Sequence, residues 1–198
     1  MRSNVSFGWS VVVISIVGII FSWVIISFPL PASNVQTVVQ PVTIVVPTKV
    51  IAQLPVNLII PKIKVDAFIE YLGITPAGAM DVPAGPSNVA WFDLGPRPGD
   101  IGSAVIAGHE GWKNNIPAVF DNLYQLQVGD TIYTEDGVGS TTAFIVRKIQ
   151  TFGQYDSTAT IFDSTDGKSH LNLITCEGIW NPITKSSPER LVVFADKE

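Results

Sequence analysis

The sequence predicts an all-β domain, a barrel or a sandwich, preceded by a single N-terminal transmembrane helix. Three observations carry this. From Pro55 to the C-terminus, short apolar runs recur, several alternating with period two. Gly- and Pro-containing turns separate them, and room for helix is small. Upstream the chain changes character, since Arg2 is the only charged side chain before Lys49.

The uncharged region divides in two. Residues 9–30 are almost wholly apolar and slightly exceed the roughly 20 residues that carry a helix across a bilayer core. Arg2 and the terminal amine favour a cytoplasmic N-terminus for residues 1–8. A cleaved signal peptide is the competing reading. The run is longer than a usual signal core, and Leu30-Pro31-Ala32 is a poor cleavage site. An uncleaved signal anchor is therefore expected, with the rest of the chain outside. Residues 31–54 hold Pro31, Pro41 and Pro47 among many valines and read as an extended extracellular linker. The folded domain then occupies residues 55–198.

Within that domain strands are expected at 58–60 and 65–71, a turn at 76–78 and a loop at 82–86. A buried-type strand covers 103–107. In 116–126, Ile116, Phe120, Leu123 and Leu126 fall at helical spacing with Pro117 suited to a first turn, which predicts a helix. Residues 131–134 and 141–151 form a hairpin through Asp136-Gly137-Val138-Gly139. Strands at 171–175 and 191–195 close the chain. Asp100 and Asp130 each follow a glycine before a strand and read as turn residues. His170 reads as an exposed strand-start residue.

Composition excludes some functions. A net charge of -5 argues against nucleic acid as a partner. Two separated histidines and one cysteine do not make a zinc site, and nothing calls for a cofactor. The one cysteine, Cys176, has no partner for an internal disulfide, so it is either a buried passenger or a reactive thiol. It ends an apolar strand, His109 follows another through Gly108, and Arg190 begins the last. If these strands are neighbours, the three side chains gather at one rim. A thiolate beside an imidazole is a nucleophile with a built-in acid, and a guanidinium can orient a carbonyl or steady an oxyanion.

These residues also carry a family resemblance. Asn172-Leu173-Ile174-Thr175-Cys176 resembles the Thr-Leu-x-Thr-Cys motif of the sortases, the membrane-anchored cysteine transpeptidases of bacterial surfaces. Ala107-Gly108-His109 resembles their histidine motif, and Arg190 in Pro188-Glu189-Arg190-Leu191 their arginine, in the same order along the chain. Val89-Ala90-Trp91-Phe92, Gly95-Pro96-Arg97-Pro98-Gly99 and Pro117-Ala118-Val119-Phe120 are most similar to class F, with classes D and E as alternatives. The resemblance implies a closed barrel of about eight strands with one or two short helices. It implies Cys176 as nucleophile, His109 as acid and base, and Arg190 with Thr175 around the oxyanion. The implied substrate is an LPxTG-like sorting signal, and the acceptor an amine from a cell-wall precursor or a protein lysine. The implied location is the bacterial cell membrane, single-pass, with the catalytic domain outside.

The sequence departs from the family pattern at Asn172, which replaces the first Thr, and at Glu110 and Glu177, which follow the His and the Cys. The two carboxylates bias the proton equilibrium of the pair, select a basic acceptor, or are solvated rim charges. Trp112 and Trp180 either wall a peptide groove or fill loop cores. Two other functions remain open: an L,D-transpeptidase, whose Ser-His-Gly-Cys type motif is absent, and a non-catalytic anchored β-domain for adhesion or assembly.

Overall fold

The structure is a computed structural model that describes residues 53–153, 155–179, 181–183 and 187–198. The expected cytoplasmic segment 1–8, anchor 9–30 and nearly all of the linker 31–54 lie outside the described residues. Among the described residues no helix is long and apolar enough to cross a membrane.

Eight strands close into a barrel in the order β1-β2-β3-β4-β7-β8-β6-β5. They are β1 (Pro55–Ile60), β2 (Val65–Leu72), β3 (Val89–Phe92), β4 (Gly102–Gly108), β5 (Thr131–Asp136), β6 (Thr141–Gly153), β7 (Ser169–Glu177) and β8 (Glu189–Lys197). Alternation sets which face of each strand is buried. In β2, Val65, Ala67 and Ile69 are buried while Asp66 and Phe68 are exposed, as a period of two requires when one face meets the core and one meets water. The barrel interior gathers Leu58, Ile60, Ile69, Ile106, Leu171, Leu173 and Val193, all without exposed surface. Each such side chain contributes roughly 1.5–3 kcal/mol of burial free energy.

β4 and β7 differ from this pattern because both of their faces are covered. Every residue of β4 is buried. The outer face of the β4–β7–β8–β6 region carries a second apolar cluster of Val105, Phe152, Ile161, Val192 and Phe194. Ile161 belongs to a one-turn helix, α1 (Ala159–Phe162), in the crossover from β6 to β7. Together, α1 and its flanking loop roof the sheet. The near-continuous apolar composition of β4 and β7 is what two-sided burial demands.

The helix expected over 116–126 does not form. Among these residues only Leu123–Gln125 is helical, as a 3-10 turn. The cause is Asp121, whose carboxylate accepts the backbone N–H of Gly111 at 2.7 Å and of Ala118 at 2.9 Å. Phe120 then donates its N–H to the carbonyl of His109 at 2.9 Å. Those bonds run to the end of β4 rather than along a helix. Phe120, Leu123 and Leu126 are buried nonetheless, while Ile116 is exposed. The apolar spacing records burial and not helical winding. β3 and α1 are elements that the sequence reading did not place.

Candidate active site

Sheet register determines which residues meet. β4 and β7 are parallel, with Ala107 opposite Ile174, so both strands end at the same rim. β8 runs antiparallel to β7 and starts where β7 stops, with Cys176 directly opposite Arg190. His109, one residue beyond β4, Cys176 near the end of β7 and Arg190 near the start of β8 are therefore gathered on one rim, as the sequence predicts. Directly opposed residues of an antiparallel pair hold their Cβ atoms about 4.5–5.5 Å apart, which places the Cys176 thiol beside the Arg190 side chain.

Each of the three is held locally. His109 is half-buried, with Nε2 2.8 Å from the carbonyl oxygen of Pro83. A carbonyl only accepts, so Nε2 carries the proton and donates it, and in the neutral ring Nδ1 holds the lone pair. The ring lies against Trp112 at 4.7 Å between centroids, tilted by 57°. Trp112 thus packs on the imidazole, whereas Trp180 lies outside the described residues. Gly108 precedes the histidine because nothing larger fits: an added Cβ would come within 2.5 Å of the Phe120 ring and 2.8 Å of Val119. Arg190 is half-buried and donates from Nη1 to the carbonyls of Ser187 at 2.9 Å and Glu189 at 2.7 Å. These bonds direct one edge of the guanidinium toward the backbone and leave Nε and Nη2 on the other edge.

Thr175 is buried, and its hydroxyl donates to the carbonyl of Gly108 at 2.8 Å. A hydroxyl has one proton, so this side chain ties the ends of β7 and β4 together and does not offer that proton to an oxyanion. Cys176 is partly buried and is the free thiol of the chain, which favours the reactive reading over the buried passenger.

Carboxylates frame the rim. Glu177 accepts a hydrogen bond from the Thr151 hydroxyl at 2.6 Å. The Glu110 carboxyl is raised above its ordinary value, first by partial desolvation and then by repulsion from Glu177 and Asp121. The two glutamates that depart from the family pattern thus share one electrostatic neighbourhood.

Several contributors escape sequence reading. Pro83 lies in a loop far from His109 in the chain. Asn172 is fully buried and donates from Nδ2 to the carbonyl of Ile161 at 2.6 Å, holding α1 against β7. His170 is not exposed as expected; it is 4% accessible. Asp196 faces it across β7–β8, and the crossover covers it from above. Among the described residues no group of three or more His, Cys, Asp or Glu side chains is arranged to hold a metal ion.

This barrel and rim have known relatives. A family model of the Sortase domain matches residues 58–198. Sortase C-1 from Actinomyces oris is 26% identical, with 72% of each chain covered and a TM-score of 0.57. Sortase A from Corynebacterium diphtheriae is 25% identical over 74% of this chain and 61% of its own, with a TM-score of 0.56. A Clostridium perfringens sortase D5 transpeptidase is 25% identical over 72% of this chain and 77% of its own, with a TM-score of 0.53. No curated protein matches the sequence. The similarity is spread over sortases named A, C and D at nearly equal identity. Because the family match spans most of the chain and the closed barrel accounts for it strand by strand, the chain belongs to the sortase family of cysteine transpeptidases.

Proposed function

We propose that this sortase is anchored in the bacterial cell membrane by residues 9–30. Its catalytic domain then lies outside the cell, where it cleaves an LPxTG-like sorting signal between Thr and Gly and joins the carboxyl side of Thr to an amine. The observation that carries this reading is the register that brings His109, Cys176 and Arg190 to one rim. The apolar segment with Arg2 as its only flanking charge supports the anchor.

The geometry supports the following roles. Cys176 passes its thiol proton to Nδ1 of His109, and the resulting thiolate attacks the Thr carbonyl carbon while the carbonyl electrons move to oxygen. The Nε and Nη2 edge of Arg190 stabilises that oxyanion, since its other edge is bound to backbone carbonyls. As the C–N bond breaks, His109 gives a proton to the departing glycine amine, leaving a thioester on Cys176. An incoming amine then attacks the thioester, loses its proton to His109 and displaces the thiolate. Nδ1 is the nitrogen that exchanges the proton, because Nε2–H is held by Pro83. Thr175 positions the strand ends through Gly108. The acceptor is an amine of a cell-wall precursor or of a protein lysine. Class F is the subclass that the 89–99 and 117–120 segments favour.

The test is transpeptidation by residues 49–198 on an LPxTG-type peptide library with an amine acceptor, read by mass spectrometry beside Cys176→Ala. Products split between Thr and Gly and joined to the acceptor, absent in the variant, are expected. A Cys176 inert to alkylation and a library left intact would contradict the enzyme reading in favour of a binding domain.

A further inference from the structure

Opposite the Cys176 rim, at the other end of β7, His170 occupies an arrangement that only its charged form satisfies. Nδ1 lies 2.6 Å from Oδ1 of Asp196, and Nε2 lies 3.0 and 3.1 Å from the two carboxylate oxygens of Asp166. Ionised carboxylates accept and do not donate. Both contacts are hydrogen bonds only when both ring nitrogens carry protons, which a neutral imidazole cannot provide. Asp196 has a second partner, Arg147 on β6, whose Nε lies 2.7 Å away. Asp166 relies on His170, with the Lys168 backbone N–H and the Ser164 hydroxyl as local donors. Asp196 belongs to the barrel, and Asp166 belongs to the crossover that carries α1.

Other groups face the ring from every element around it. They line a cleft of about 380 Å³ beside the imidazole: Arg147 and Lys148 from β6, Asp163 and Asp166 from the crossover, Asp196 from β8 and the uncharged hydroxyl of Ser103 from β4. On losing its proton, His170 keeps one N–H. The shorter bond to Asp196 retains it, and the Nε2 lone pair then faces the Asp166 carboxylate, a repulsive contact. The crossover end is thus the end that releases.

Release matters at the other rim. α1 packs on β4, and its Ile161 belongs to the outer apolar cluster with Val105, Phe152, Val192 and Phe194, against which Ile174 of β7 packs. Ile174 is two residues before Cys176, on the same face of β7.

We propose that His170 is a positioning residue: as an imidazolium it clasps the crossover to the barrel through Asp166 and Asp196, and its deprotonation loosens the roof that adjoins the Cys176 rim. The consequence for peptide binding rests on the transpeptidase reading above; the clasp itself does not. It is bounded on the acid side as well. The Asp166 carboxyl is held well below its ordinary value, chiefly by the His170 hydrogen bond and then by the Lys168 and Ser164 donors. Its contribution is complete above the ordinary value of 3.8 and is lost as pH falls toward the lowered one.

The test uses the full chain in detergent micelles. Imidazole NMR gives the pH midpoint of His170. Exchange of the Asp163 and Lys168 amides, corrected for intrinsic base catalysis, is followed across that midpoint with Ile106 in β4 as reference. At least fivefold faster exchange on the alkaline side is expected for the two crossover amides and none for Ile106. Asp166→Asn should abolish the pH dependence, because an amide can turn to meet either form of the ring. The ratio of wild-type to Asp166→Asn KM for the peptide should rise across the same midpoint while the kcat ratio stays level. Crossover exchange that ignores the His170 midpoint overturns the clasp, and exchange that follows it with an unchanged KM ratio overturns the positioning role. If no peptide is processed, the transpeptidase reading falls and the exchange data alone decide the clasp.

Discussion

Thr175 and Glu110 show how single side chains tune the rim in opposite ways. Thr175 spends its one proton on the Gly108 carbonyl at 2.8 Å, in a buried setting. Thr175→Val keeps the shape and removes the donor, so a buried acceptor loses its partner. We expect a loss of about 1–3 kcal/mol in urea denaturation. Glu110 works against folding when ionised, since its carboxyl is raised above the ordinary 4.5. A carboxyl that is easier to protonate when folded penalises the folded state above its raised value. That penalty vanishes below 4.5. Glu110→Gln should therefore be more stable than the wild type at pH 7, and the two should converge as pH falls below 4.5, by the same denaturation assay. Equal stability at pH 7 would contradict a carboxyl raised by desolvation and by the Glu177 and Asp121 charges.

At the scale of elements, the crossover with α1 is held by few bonds. Asn172 reaches the Ile161 carbonyl at 2.6 Å, while its own Oδ1 is buried without a hydrogen-bond partner among the described residues. The family motif has Thr at this place, and a threonine side chain is too short to make that bond. Asn172→Thr should destabilise the domain by about 1 kcal/mol, the low end of the cost of a lost buried hydrogen bond, because it also removes the unpaired Oδ1. Ile161→Ala should cost more, about 2–5 kcal/mol, through the cavity left under α1. Thermal or urea unfolding of the two variants checks both the values and their order. The strands were legible in the sequence because alternation and turn residues report directly on a half-buried sheet, as in β2 and the β5–β6 hairpin. The 116–126 segment misled because Phe120, Leu123 and Leu126 have a spacing that a 3-10 turn also buries, and the deciding bonds come from Asp121. Nothing local in Ala159–Phe162 announces a helix, since its stability comes from packing on the sheet.

For the whole molecule, the barrel makes a site out of residues that are distant in sequence. His109, Cys176 and Arg190 each end or begin an apolar strand, so they could be singled out from sequence, and the family motifs gave them roles. Their meeting depends on the strand order β4-β7-β8, with one parallel and one antiparallel pairing. No local pattern encodes that order. The same order pairs His170 with Asp196 at the far end of the same strands, which is why a residue that reads as exposed is buried. Barrel integrity is accordingly a condition for both ends. Leu173→Ala, in the interior between them, should cost about 2–5 kcal/mol in urea unfolding.

On the proposed mechanism, Cys176 forms the covalent intermediate at this rim. Its most direct measurement is intact-mass analysis of residues 49–198 mixed with a peptide substrate and no amine acceptor, quenched in acid, with peptide mapping of the adduct. A thioester on Cys176 that carries the peptide up to its Thr is expected, absent in Cys176→Ala and discharged when an amine is added. A substrate that is cleaved without any adduct on Cys176, or cleaved equally by Cys176→Ala, would contradict it.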